Sequence, residues 1–115
     1  MGLSHQVKDN ICIVHVADYS IGKDAVKLSS YISMVLDQLS PKAILMNLEK
    51  IESIDSAGLS YIIISFNAAK EQQVGFALCR LTRTVLEAFQ FTGFDKLVPI
   101  FETEVDALDF FQSGE

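Results

Sequence analysis

The sequence predicts a single α/β domain spanning residues 1–115. Its sheet is mixed and mostly parallel, an N-terminal hairpin adds one antiparallel strand, and about four helices cover it. Three observations predict this. Apolar periodicity switches repeatedly between two and about 3.6 along the chain. A turn dipeptide, Asp9-Asn10, separates the first two strand-like runs. No linker, internal repeat or low-complexity tract interrupts 115 residues, the size of one domain.

Residues 3–8 read as a weak strand and Ile11 to Val16 as a strong one, which makes the hairpin. Asp18 to Lys23 is a polar connection. Ala25, Leu28, Ile32, Val35, Leu36 and Leu39 lie at the spacing of one helix face, and Ser40-Pro41 stops that helix. Ala43 to Leu48 is a strand, Glu49 to Asp55 a polar loop, and 56–71 a second helix. The core face of that helix is Leu59, Ile62, Ile63, Phe66 and Ala69. Val74-Gly75 connects to a strand over Phe76 to Arg80. Thr82 can cap a third helix, with Thr84 and Glu87 as an alternative capping box. Val85, Leu86 and Phe89 point inward, and Gly93 is the expected left-handed stop. Leu97 to Phe101 is the last strand, and Pro99 assigns it to an edge or a bulge. Thr103 caps the final helix, with Val105, Ala107, Leu108 and Phe111 for packing. Strands alternating with helices imply parallel pairing through right-handed crossovers.

Half the residues are hydrophobic and 21% are charged, which excludes disorder. Nine basic against fifteen acidic residues give a net charge of −6, a poor match for nucleic acid. Apolar runs stop at four residues, as in Tyr61 to Ile64, whereas a membrane span needs roughly 18. The N-terminal Met-Gly-Leu-Ser-His-Gln has no basic region followed by an apolar stretch, so no secretory signal is expected. Cys12 and Cys79 read as buried small hydrophobes in a reduced, cytoplasmic protein. With His5 and His15 they have no metal-ligand spacing, and no cofactor or metal is expected.

An enzyme needs a nucleophile with a base, paired carboxylates, a metal cluster or a phosphate loop. Ser56 follows a strand and a loop and opens a helix, but the glycine of a nucleophile elbow is replaced by Ile54. Neither histidine is directed to it by sequence. Glu49, Glu52 and Asp55 read as a solvated loop. A binding module is therefore expected, with no catalytic residue.

The distinctive segment is Leu45-Met-Asn-Leu-Glu-Lys-Ile-Glu-Ser-Ile-Asp-Ser-Ala-Gly-Leu59. Asp55 or Ser56 is the helix N-cap. A cap does not account for Gly58, a poor helix former, in the first turn. Glycine there would leave room for another protein to approach Ser56.

Asn47-Leu48 with Asp55-Ser56-Ala57-Gly58-Leu59 resembles the signature of the STAS domain family, the sulfate transporter and anti-sigma factor antagonist domains. Phe91-Thr92-Gly93-Phe94, Leu97, Ile100-Phe101 and Ala107-Leu108 resemble the family's C-terminal part. The likeness covers nearly the whole chain. Such proteins commonly carry Gly-Glu-Leu-Asp after the second strand. Here Ala17-Asp18-Tyr19-Ser20-Ile21-Gly22 stands instead, in a loop that the family fold sets beside the phosphorylation site. The resemblance implies an anti-sigma factor antagonist, a switch and not a catalyst. Ser56 would be phosphorylated by a partner that is both anti-sigma factor and serine kinase, and a serine phosphatase would reset it. Asp18, Ser20, Asp55, Ser56, Ala57 and Gly58 would meet the partner. The alternative is a constitutive scaffold subunit of a transporter or signalling assembly.

The second helix adds an apolar stripe opposite its core face: Ala57, Tyr61, Ile64 and Ala68. Either a neighbouring helix or a homodimer contact covers it, or it is a docking surface beginning one residue from Ser56. The docking reading requires Tyr61 and Ile64 to be exposed. A monomer or weak homodimer is expected.

Overall fold

The computed structural model describes residues 2–17 and 20–113. β1 (Gly2–Lys8) and β2 (Ile11–Ala17) form the antiparallel hairpin, with Leu3 opposite Val16 and Lys8 opposite Ile11. Asp9 and Asn10 both take positive φ, 53° and 64°, as a two-residue turn matched to strand twist requires. A short 3₁₀ turn at 23–25 leads into α1 (Val26–Leu39), which Ser40 ends in the left-handed region. β4 (Ala43–Asn47), α2 (Ser56–Glu71), β6 (Gly75–Cys79), α3 (Arg83–Thr92), β7 (Ile100–Phe101) and α4 (Glu104–Ser113) follow. Two further strands, β3 (Ser20–Ile21) and β5 (Ser53–Ile54), pair in parallel outside the main sheet.

The main sheet runs β1-β2-β4-β6-β7, parallel from β2 onward. Each crossover moves one strand in the same direction, so right-handedness places α1, α2 and α3 on one face. Their buried residues join alternate strand residues, Cys12, Val14, Ile44, Met46, Phe76 and Leu78, in the larger core. The opposite residues, Ile11, Ile13, Ala43, Leu45, Ala77 and Cys79, meet Ala107, Leu108 and Phe111 of α4. β4 is buried on both sides, which is why its sequence is apolar without alternation. Phe111 lies against Gly75, where a Cβ would stand 2.8 Å from its ring.

Several expectations change. The loop expected over 49–55 is not uniformly polar: Ile51 is fully buried, and residues 53–54 form β5. The last strand is shorter than expected. It begins only at Ile100: a 3₁₀ turn over 94–96 precedes it, and 97–99 are irregular, with Leu97 exposed and Val98 buried. β7 does lie at a sheet edge. Leu39 and Val105 are exposed. Leu39 is on the buried face but in the final turn. Val105 stands about 110° around the helix from the centre of Ala107, Leu108 and Phe111. Thr82 and not Thr84 caps α3, accepting from the Val85 amide, and Gly93 takes φ 81° at its end.

Candidate functional site

The C-terminal end of β4 delivers the chain to the start of α2. Ile51 anchors the connection by burying its side chain, and its carbonyl accepts the Thr82 hydroxyl at 2.9 Å. The next residues pair with β3, Ser20 with Ser53 and Ile21 with Ile54. This brings segment 20–22 beside the beginning of α2.

Asp55 is the N-cap. Its backbone is extended, and Oδ1 accepts the Gly58 amide at 2.9 Å. Its carboxylate also lies against Gly22, where a Cβ would stand 2.9 Å from Oδ2. Ser56 is therefore the first helical residue. It is exposed and makes no cap bond; its carbonyl accepts the Ser60 hydroxyl at 2.9 Å. The first turn of α2 contains no acidic residue after Asp55, whose capping carboxylate itself meets the positive end of the helix dipole.

The other expected contact residues separate. Asp18 lies outside the described residues, as does the side chain of Ser20, whose backbone belongs to β3. Gly58 is buried. Ala57 is half-buried. Tyr61 and Ala68 are half-buried and pack against the larger core, and α1 packs on α2. Tyr61 is thus not the open residue that the docking reading required. Ile64 is 51% exposed. It shares the exposed arc with Ser56, Ser60 and Asn67, at spacings of four, four and three, and is the large apolar residue of that arc.

A second polar group at the same end of the sheet was not foreseen. Asn47, 4% exposed, accepts the Glu49 amide at 2.9 Å through Oδ1. Its Nδ2 donates to Glu104 at 2.7 Å and to Glu49 at 3.2 Å. His15, in register with Asn47, has Nε2 3.9 Å from Glu104, and Arg80 Nε is 3.6 Å from Glu49. Asn47 thereby ties the β4 end to its following loop and to α4. A buried asparagine ending an apolar strand was the available signal.

Burial pushes the Cys12 thiol up to about 11 and the Cys79 thiol up to about 12, the latter also raised by Glu104. Neither is a thiolate near neutral pH. Among the described residues no His, Cys, Asp or Glu cluster is placed to hold a metal, and no helix is long and apolar enough to cross a membrane.

The family model of the STAS domain matches residues 3–107. Solved structures with the same fold include an anti-sigma factor antagonist from Mycobacterium paratuberculosis, 23% identical with a TM-score of 0.86 over 97% of this chain and 94% of that one. The anti-sigma factor antagonist SpoIIAA, solved in its unphosphorylated form, is 20% identical with a TM-score of 0.79 over 96% of each chain. A sulfate transporter family protein from Wolinella succinogenes is 15% identical, with a TM-score of 0.74 over 93% of this chain and 88% of that one. At these identities the structures carry the fold, and the model match carries the family. A match over nearly the full length, with the strand order and the capped start of α2 already described, means that this chain belongs to the STAS domain family.

Proposed function

We propose that the protein is an anti-sigma factor antagonist of the cytoplasm, a protein-binding module switched by phosphorylation of Ser56. Unphosphorylated, it binds an anti-sigma factor that is also a serine kinase and so frees a sigma factor. The kinase modifies Ser56 at the expense of ATP, and a serine phosphatase restores it. The observation that carries this reading is the exposed Ser56 hydroxyl at the first position of α2, outside the cap that Asp55 already supplies. The likeness to an antagonist solved in an unphosphorylated form supports it.

A phosphate adds about −1.5 to −2 charges near neutral pH. At an exposed helix N-terminus it meets the dipole and free amides, so the fold tolerates it. In a complex the same dianion, beside the Asp55 carboxylate, would have to be desolvated against the partner. Loss of one or two central contacts costs about 2–4 kcal/mol, roughly 30- to 1000-fold in affinity. The apolar Ile64, two turns along the same arc and about 12 Å farther down the helix, supplies an apolar contact on the same face as the switched charge. A constitutive scaffold role is the second reading, favoured by the shared fold with a sulfate transporter family protein.

The test is to map phosphate on protein taken from its native cells and on protein incubated with the kinase that co-purifies with it. Phosphate on Ser56 is expected. Modification of Ser53, Ser20 or Ser60 with Ser56 untouched would overturn the switch, and co-purification with a membrane transporter would favour the scaffold.

A further inference from the structure

Far from Ser56 in sequence, Leu81, Leu86, Asp95, Ile100, Phe101 and Glu102 line an open cleft of about 470 Å³, within the range of binding pockets. Four of the six walls are apolar and two are carboxylates. Among the described residues neither carboxylate has an ion pair or hydrogen bond. One oxygen of Asp95, Oδ1, is closed off from water and has no partner. A carboxylate that has lost part of its hydration without gaining donors is an electrostatic well for a cation placed at its accessible side.

The cleft also borders an open sheet edge. β7 is outermost, and its inward carbonyls are taken: Leu78 donates to Pro99 at 2.9 Å and Arg80 to Phe101 at 3.3 Å. Backbone groups alternate in direction along a strand, so the amide and carbonyl of Ile100 turn outward. Main-chain pairing there would set alternate side chains of an added strand into the cleft.

We propose that this edge and cleft dock an extended segment of a partner protein carrying lysine or arginine two residues from an aliphatic residue, so that both side chains share the face turned to the cleft. The basic group lies against Asp95 and Glu102, and the aliphatic one against Leu81, Leu86 and Ile100. The opposite charge of the two unpaired carboxylates selects the occupant, and the apolar walls exclude a bare cation. None of this depends on the role of Ser56.

The test uses the blocked peptide acetyl-Thr-Arg-Thr-Val-Thr-amide, its Thr-Glu-Thr-Val-Thr counterpart and arginine amide, with amide NMR shifts of the whole protein as readout. The basic peptide is expected to shift the amides of Leu81, Leu86, Asp95, Ile100 and Phe101, and neither control should do so. Asp95→Asn with Glu102→Gln should weaken binding at least tenfold, whereas Asp37→Asn with Glu71→Gln should leave it unchanged. Glu102→Gln alone, at an exposed position, should weaken it severalfold and serves if the double variant fails to fold. The proposal is overturned by shifts elsewhere, by equal loss in both double variants, by equal binding of arginine amide, or by concentration-dependent shifts of the same amides without peptide, which would mean a second copy of the chain.

Discussion

Gly22 and Asp55 touch across the two-residue pair β3–β5: the missing side chain of one makes room for the capping carboxylate of the other. Gly22 is not in the left-handed region, so close approach and not backbone strain demands glycine there. Gly22→Ala should displace the carboxylate and cost up to the value of the cap, about 1 kcal/mol. In an Asp55→Ala background the same change should cost much less. A double-mutant cycle by denaturant melts measures the difference, and simple additivity would mean that the two residues are independent.

Asp55→Ala alone should cost about 1 kcal/mol and Asp55→Asn only a small part of that, because asparagine caps equally well. Thermal melts of the two variants decide.

Ser56 carries no cap bond. Ser56→Ala should therefore hold stability within about 0.5 kcal/mol while binding the partner constitutively. Ser56→Asp should keep the fold and weaken partner binding at least tenfold, about 1.4 kcal/mol. A calorimetric melt and a titration with the partner check both. Unfolding of Ser56→Asp would make the residue structural.

Two isoleucines two positions apart in α2 should behave oppositely. Ile64 is exposed, so Ile64→Glu should stay folded and monomeric, with stability within about 0.5 kcal/mol, and lose partner binding. Ile62 is fully buried, and Ile62→Ala should cost about 2–5 kcal/mol. Circular dichroism melts with pull-down against the partner separate the two effects.

The raised thiols predict an alkaline limit. The folded chain keeps two protons, to about pH 11 on Cys12 and about pH 12 on Cys79, that the unfolded chain gives up from about pH 9. Stability from this source is complete below pH 9 and is lost as pH rises, by about 1.4 kcal/mol per pH unit for each thiol. Urea midpoints measured from pH 8 to 11 should fall in the wild type and fall less in Cys12→Ala, once its lower baseline is subtracted.

Long periodic segments were legible. α2 begins and ends at Ser56 and Glu71 as its spacing requires, and the Asp9-Asn10 hairpin follows from its turn chemistry. β3 and β5 were not legible, because two residues carry no period. Ile51 was read as part of a polar loop because a lone apolar residue among Glu49, Lys50 and Glu52 has no periodic companion, yet it is fully buried. At the candidate site the motif marked Asp55 and Ser56, but which of them caps depends on backbone geometry. The burial of Gly58 and the packing of Tyr61 against the core depend on neighbouring elements, which one helix's own pattern does not contain.

The sheet is clad unequally, with three helices over one face and α4 over the other. α4 holds on through Ala107, Leu108 and Phe111, the ring seated against Gly75, and through the Glu104–Asn47 hydrogen bond. As the helix alone on its face of the sheet, α4 can detach as a local unit without disturbing the helices on the other side. Its release would bare Ile13, Leu45 and Ala77 while leaving the three-helix side assembled. In hydrogen exchange, α4 amides should therefore open in a separate, lower-energy event than those of β2, β4 and β6. The apolar strip uncovered in that partly open form is the surface most exposed to self-association.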